Sequence, residues 1–152
     1  MRISDFGLRI AGRIRAAADT GSLRADCWRL SMNAEDIKTF RFEAAHSLSG
    51  APEGHKCRRL HGHGYRLDIH VAGPVNPVTG WVIDFGDIAR AVGPVLEELD
   101  HRNLNEVPGL ENSTSERIAE YLWNRLKGRL PGLCAITIWE SDTSRCVYRG
   151  EP

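Results

Sequence analysis

Three histidines and a cysteine set the chemistry open to this sequence. His61 and His63 stand in Leu60-His61-Gly62-His63-Gly64. His46 closes the run Thr39-Phe40-Arg41-Phe42-Glu43-Ala44-Ala45-His46, and Cys57 lies four residues before His61. Three imidazoles with an open coordination position are how proteins build a catalytic zinc, and a nearby thiol supplies a base or a nucleophile. A lone histidine in a strand is usually structural. Three on converging apolar faces are different, because imidazoles without partners are costly in a core. Cys57 is flanked by His55, Lys56, Arg58 and Arg59; neighbouring cations favour a thiolate, so Cys57 is expected to be catalytic. Cys134 and Cys146 fall in strand patterns and are expected to be small core side chains. His55 and His70 do not share the geometry and are expected to face solvent.

Two further positions extend the set. Asp100-His101 follows an apolar helix pattern. A helix C-terminus and an adjacent carboxylate both favour a protonated imidazole, which suits a proton donor or relay. In isolation the same pair would equally be a polar helix stop. Glu140 has the parity of Ile136 and Ile138, which turns its carboxylate toward the apolar side, where it needs donors. The N–H edge of a bound ring would supply them; a strand-end glutamate turned to solvent is the alternative.

The elements that must position these groups follow from periodicity. Residues 39 to 46 alternate, with Phe40, Phe42, Ala44 and His46 on one face and Thr39, Arg41 and Glu43 on the other. In residues 61 to 72, Tyr65, Leu67, Ile69 and Val71 share a face, and extending the strand back through Gly62 and Gly64 adds His61 and His63 to it. Pairing these two strands would bring all three imidazoles together. After a turn around Gly73-Pro74, Asn76-Pro77 and Thr79-Gly80, the run Trp81-Val82-Ile83-Asp84 reads as a resumption of the sheet. A helix fits 86 to 100 with Ile88, Val92, Val95, Leu96 and Leu99 on one stripe, kinked or broken at Pro94. A second helix starts at Ser113-Thr114-Ser115-Glu116, which has capping-box spacing, and stops at Pro131-Gly132. Strands at Cys134 to Glu140 and near Cys146 to Tyr148 complete an α+β domain with an antiparallel sheet.

At 152 residues the chain has one domain's length. It carries 20 Lys and Arg against 20 Asp and Glu, so no global basic field invites nucleic acid. No apolar stretch reaches membrane-spanning length. Four cysteines without a C-x-x-C pair fit a reducing cytoplasm better than a disulfide framework. Residues 1–31 read differently. They hold six arginines (Arg2, Arg9, Arg13, Arg15, Arg24 and Arg29) against three aspartates, and no strand pattern. Three readings are open: a start of the functional protein at Met32, an Arg-rich targeting segment weakened by Asp5, Asp19 and Asp26, or an amphipathic helix around Ile3 to Ile14. A dispensable extension before a domain at 32–152 is the reading favoured.

From Phe40 to Glu151 the chain resembles the 6-pyruvoyltetrahydropterin synthase/QueD family. The resemblance rests on Phe42-Glu43-Ala44-Ala45-His46, Cys57-x-x-x-His61-Gly62-His63, Trp81-Val82-Ile83-Asp84-Phe85, Leu99-Asp100-His101-x-x-Leu104-Asn105, Pro108-Gly109-Leu110-Glu111-Asn112-Ser113-Thr114-Ser115-Glu116 and Tyr148-Arg149-Gly150-Glu151. The short interval from Cys57 to His61 is similar to that of the bacterial 6-carboxy-5,6,7,8-tetrahydropterin synthase branch. The resemblance implies a tunnelling fold (T-fold) with two helices on one face of the sheet, assembled as a homo-hexamer from two trimeric rings. It implies conversion of 7,8-dihydroneopterin triphosphate to 6-carboxytetrahydropterin, with release of acetaldehyde and triphosphate, on the queuosine and 7-deazapurine route. His46, His61 and His63 become Zn2+ ligands, Cys57 the base, and Asp100 with His101 a proton relay. Glu140 anchors the pterin with help from Thr114 and Ser115. Lys56, Arg58 and Arg59 would attract the triphosphate, a solvated loop being equally open. Ser113 stands where close relatives often have proline, and either residue starts a helix. Alternatives within enzymes are the pyruvoyl-forming triphosphate lyase and a variant that cleaves sepiapterin-like side chains. Outside enzymes, the alternative is a zinc- or pterin-binding protein.

Overall fold

Period-two alternation runs through two long strands, and their pairing organises everything else. In this computed structural model, which describes residues 32–150, β1 (Asn33–His46) and β2 (His61–Pro74) pair antiparallel from Asn33 opposite Pro74 to His46 opposite His61. The expectations for residues 1–31, with Cys27 among them, and for Glu151 lie outside the described residues. β4 (Leu133–Ser141) adds to β2, and β5 (Ser144–Tyr148) to β4, both antiparallel. A two-residue β3 (Arg102–Asn103) lies parallel to Ala44–Ala45, giving the order β3-β1-β2-β4-β5.

One face of this sheet is apolar. Phe42, Tyr65, Leu67, Ile69, Val71, Ile136 and Ile138 share a single buried cluster with the inward stripes of α1 (Phe85–Leu96) and α2 (Ser115–Leu126). Both helices therefore cover the same face, as expected. Each such side chain, fully buried, contributes roughly 1.5–3 kcal/mol. The other face is polar: Asp68 accepts from the Thr39 hydroxyl at 2.7 Å and from Trp139 Nε1 at 2.6 Å, and the Trp139 ring lies between the Arg66 and Arg145 guanidiniums.

Four local expectations need correction. Trp81–Asp84 is not a strand. It closes a loop in which the Trp81 carbonyl accepts from Asn76 N–H, and Asp84 is the N-cap of α1, its Oδ1 accepting from Gly86 N–H at 2.6 Å. An apolar triplet before a capping aspartate imitates a strand end. The first helix passes through Pro94 and ends at Leu96, not at residue 100. So near the terminus the proline's missing N–H costs one hydrogen bond, and residues 97–100 continue as turns. The second helix is capped by Thr114, one residue later than the spacing indicated, and stops at Leu126, before Pro131. His70 faces the polar side but is not solvated: its ring bridges Glu35 at 2.6 Å and Thr137 Oγ1 at 2.9 Å. Cys134 and Cys146 are half-buried, and burial pushes both thiols up.

Gly132 sets the entry into β4. Its φ is +80°, its carbonyl accepts from Ala72 N–H at 2.8 Å, and a Cβ there would meet the Ala72 carbonyl oxygen at 2.5 Å. Strain and clash act together, so Gly132→Ala is expected to destabilise the fold by about 2 kcal/mol. Chemical denaturation of the two proteins, read as a drop in midpoint at constant slope, checks this.

Candidate functional site

The register fixes the three imidazoles before any ligand is considered. His46 is directly opposite His61, and Ala44, not a bulky residue, is opposite His63. The small methyl leaves the His63 ring room to lean toward His46. The ring centroids are 4.6 Å apart for His46–His61, 5.2 Å for His46–His63 and 6.0 Å for His61–His63. One ring nitrogen from each falls within 4.8 Å of the others.

The hydrogen bonds say which nitrogens are free. Nδ1 of His46 meets the Ser113 carbonyl at 2.9 Å, Nδ1 of His61 the Arg59 carbonyl at 2.8 Å, and Nδ1 of His63 the Gly64 carbonyl at 3.1 Å. A carbonyl only accepts, so each Nδ1 carries a proton, and Nε2 is the atom that each ring, when neutral, has free for a metal. The Nε2 atoms of His46 and His63 are 3.3 Å apart. Three tautomers fixed by backbone acceptors, with three lone pairs converging, match the orientation of metal-bound histidines in general. The residues present fit a tetrahedral metal ion with one position left open.

Burial is uneven across the trio. His46 is 2% exposed, and that burial lowers its pKa from the ordinary 6.5, opposed in part by the Ser113 carbonyl. Its backbone neighbours are tied down by Asn105: Oδ1 accepts from Ser47 N–H at 2.7 Å, while Nδ2 donates to the carbonyls of Ser47 and Glu111. Tyr65, the next inward residue of β2 after His63, packs at a tilt of 36° against the His63 ring with centroids 4.2 Å apart and brings its hydroxyl within 3.2 Å of His46 Nδ1. Burial pushes the Tyr65 phenol far above its ordinary value, so it stays protonated. Sequence reasoning took Tyr65 for core alone; its parity with His61 and His63 was the available signal.

Cys57 and Glu140 join His61 and His63 around one cavity of about 640 Å³, which Lys56, Arg59 and Leu60 also line. Cys57 sits in a 3₁₀ turn (Lys56–Arg58) between β1 and β2. Its N–H donates to the His55 ring and its carbonyl accepts from Leu48 N–H at 2.8 Å. The backbone is thus fixed on both sides of the thiol. His55, expected to be a solvated loop residue, is exposed and caps this turn. Glu140 projects from the end of β4, where its Oε1 accepts from the Ser115 hydroxyl at 2.7 Å and its Oε2 lies 3.1 Å from His63 Nε2. Thr114 caps α2 and makes no contact of its own with Glu140.

Asp100 and His101 are paired as the sequence indicated but lie elsewhere. His101 Nδ1 is 2.9 Å from Asp100 Oδ1, and Asp100 also accepts from Glu43 N–H at 2.9 Å. That backbone donor, then the His101 ring, holds the Asp100 carboxyl below its usual range. His101 has a φ of 57°, the left-handed turn that swings the pair onto the outer edge of β1. Glu43 is three residues before His46, roughly 10 Å along the strand, and neither member of the dyad lines the cavity.

Comparison with known proteins bears on the family and the fold. The profile of the family described as 6-pyruvoyl tetrahydropterin synthase matches residues 37–151. A 6-carboxy-5,6,7,8-tetrahydropterin synthase of Synechocystis is 41% identical over 117 residues, covering 73% of this chain and 89% of the relative. A dihydroneopterin monophosphate aldolase of Pyrococcus furiosus is 35% identical over 114 residues, with 73% and 93% covered. Among solved structures, the 6-pyruvoyl tetrahydropterin synthase of Caenorhabditis elegans superposes with a TM-score of 0.73 at 28% identity, over 80% of this chain and 98% of that one.

Proposed function

The chain belongs to the 6-pyruvoyl tetrahydropterin synthase family, and on that premise we propose that it is a zinc-dependent carbon–carbon lyase. The reaction is conversion of 7,8-dihydroneopterin triphosphate to 6-carboxy-5,6,7,8-tetrahydropterin with release of acetaldehyde and triphosphate. Such a product belongs to the queuosine and 7-deazapurine route. The observation that carries the reading is a three-histidine cluster, His46, His61 and His63, two of whose members line one cavity together with the Cys57 thiol and the Glu140 carboxylate.

Zinc at the three histidines would lower the pKa of the substrate's side-chain hydroxyls and polarise a developing carbonyl. The rest is the work of this chain's residues. Glu140 accepts from the N–H edge of the pterin ring and so fixes where the side chain lies. In this structure one of its oxygens faces His63 Nε2, a contact that a metal held by that nitrogen would replace, leaving the carboxylate to the ring. Ser115 keeps the other oxygen in place by donating to it. The Cys57 thiolate removes a carbon-bound proton from the substrate side chain. Asp100 orients His101, which handles protons on the opposite side of the substrate.

That last role needs a second copy of the chain, because the dyad does not line its own cavity. We propose a homo-hexamer of two trimeric rings. The sheet leaves two free edges among the described residues: β1 before Ala44, and β5. Joining β5 of one copy to β1 of the next is a heterologous contact that closes a ring and removes both edges. The dyad then stands at the seam.

Product analysis tests the activity. Incubated with dihydroneopterin triphosphate, the zinc-loaded protein is expected to release acetaldehyde stoichiometrically with the carboxylated pterin. A pyruvoyl product without acetaldehyde would reject the reading in favour of the triphosphate lyase. The protein started at Met32 is expected to match the full chain in the same assay, since the Met32 carbonyl already pairs with Val75 N–H at 2.7 Å and anchors the start of β1.

A further inference from the structure

Cys57 is surrounded in sequence by three cations, and the fold separates them. Arg58 turns back on its own loop, its Nη1 donating to the Ala51 carbonyl at 2.7 Å. Lys56 and Arg59 line the cavity instead. The reason is the local helix type. In a 3₁₀ turn, with three residues per turn, side chains at i and i+3 stand over one another and the residue between is rotated away. Lys56 opens this turn and Arg59 is its C-cap, with the Arg59 N–H donating to the Lys56 carbonyl at 3.2 Å.

Neither cation is neutralised. Among the described residues no carboxylate forms an ion pair with Lys56 or Arg59. The one carboxylate lining the cavity, Glu140, accepts from Ser115 and forms no ion pair with either cation. The chain as a whole has no net charge, so the positive mouth is a local feature. The Arg59 backbone is also fixed, its own carbonyl holding His61 Nδ1 at 2.8 Å.

We propose that Lys56 and Arg59, without Arg58, form the subsite for the phosphate chain of the substrate. The inference rests on the pterin reading above and names the specificity determinants within it. An arginine fork and a lysine point charge on one cavity wall suit the several negative charges of a polyphosphate. The mouth therefore selects a triphosphate over an unphosphorylated pterin alcohol.

Equilibrium binding tests this without requiring turnover. The affinity ratio between dihydroneopterin triphosphate and dihydroneopterin is measured for the zinc-loaded wild type and for Lys56→Gln, Arg59→Gln and Arg58→Gln. The ratio is expected to fall about tenfold in each of the first two, the scale of one lost charged hydrogen bond. It is expected to stay within about twofold in Arg58→Gln, because that side chain is held at Ala51. In turnover the same two substitutions raise KM for the triphosphate with little change in kcat. An unchanged ratio in Lys56→Gln and Arg59→Gln, or an equal loss in Arg58→Gln, overturns the subsite. Absence of acetaldehyde from the wild type instead overturns the reaction, and the binding ratio still decides the subsite.

Discussion

Cys57→Ala is expected to lower kcat by about 10³-fold, within the range a positioned general base contributes. The size of the effect follows from how the thiol is held. The His55 ring accepts from its N–H and Leu48 donates to its carbonyl, so removing one sulfur atom leaves the turn, the cavity and the histidines where they are. Zinc content and pterin binding are therefore expected to be unchanged in the variant. Two measurements separate base from scaffold. If the thiolate removes a carbon-bound proton, exchange of that proton with deuterated solvent is lost in step with turnover, whereas a structural role would lower binding or metal content first. Turnover within tenfold of wild type would remove Cys57 from the mechanism. Retained exchange with lost turnover would move it to a later step.

The histidine trio was legible because one rule, the two-residue period of a strand, decides where a side chain points. Phe42, Ala44 and His46 are buried together, and His61 and His63 continue the face of Tyr65 and Leu67. The same rule reached Glu140. It did not reach properties that depend on what lies across a strand or beyond a turn. His70 has the polar parity assigned to it, yet strands on both sides supply Glu35 and Thr137 and draw it out of water. Four residues are too few to show a period, so Trp81–Asp84 passed for a strand when its last residue was a helix cap. Asp100 and His101 were recognisable as a pair. Their distance from Cys57 was not, because it depends on one left-handed residue, His101, and on a backbone donor from Glu43 that no local pattern encodes. The division among Lys56, Arg58 and Arg59 was hidden for a similar reason: an exposed basic run has no period until the 3₁₀ turn gives it one.

His61→Ala is the second substitution with a large expected effect, and it tests the metal independently of the thiol. The wild-type chain is expected to hold one zinc; with His61 gone, only His46 and His63 remain to offer Nε2 and the chelate is incomplete. Metal analysis after dialysis should find the variant essentially zinc-free, with turnover down by at least about 10³-fold. His61 is less buried than His46, so the core survives its loss, and an unchanged circular dichroism spectrum would show this. Zinc retained at one per chain in His61→Ala would discard the three-histidine site. Acid should mimic the substitution, because a ligand nitrogen must be deprotonated to bind. The sign in the metal-free chain is set by His46. Its folded pKa is depressed by burial below the ordinary 6.5, so the unfolded chain takes up the proton first. The stability tied to its neutral form is present above about 6.5, begins to fall as pH drops below that value, and is gone below the depressed folded one. Zinc acts in the same direction by binding only the neutral rings, so it steepens the dependence. Thermal unfolding followed from about pH 7 to about pH 5 should thus show a midpoint that falls in both forms and falls faster in the zinc-loaded one. A zinc-loaded midpoint that does not change over that range would mean that the metal is held by something other than these imidazoles.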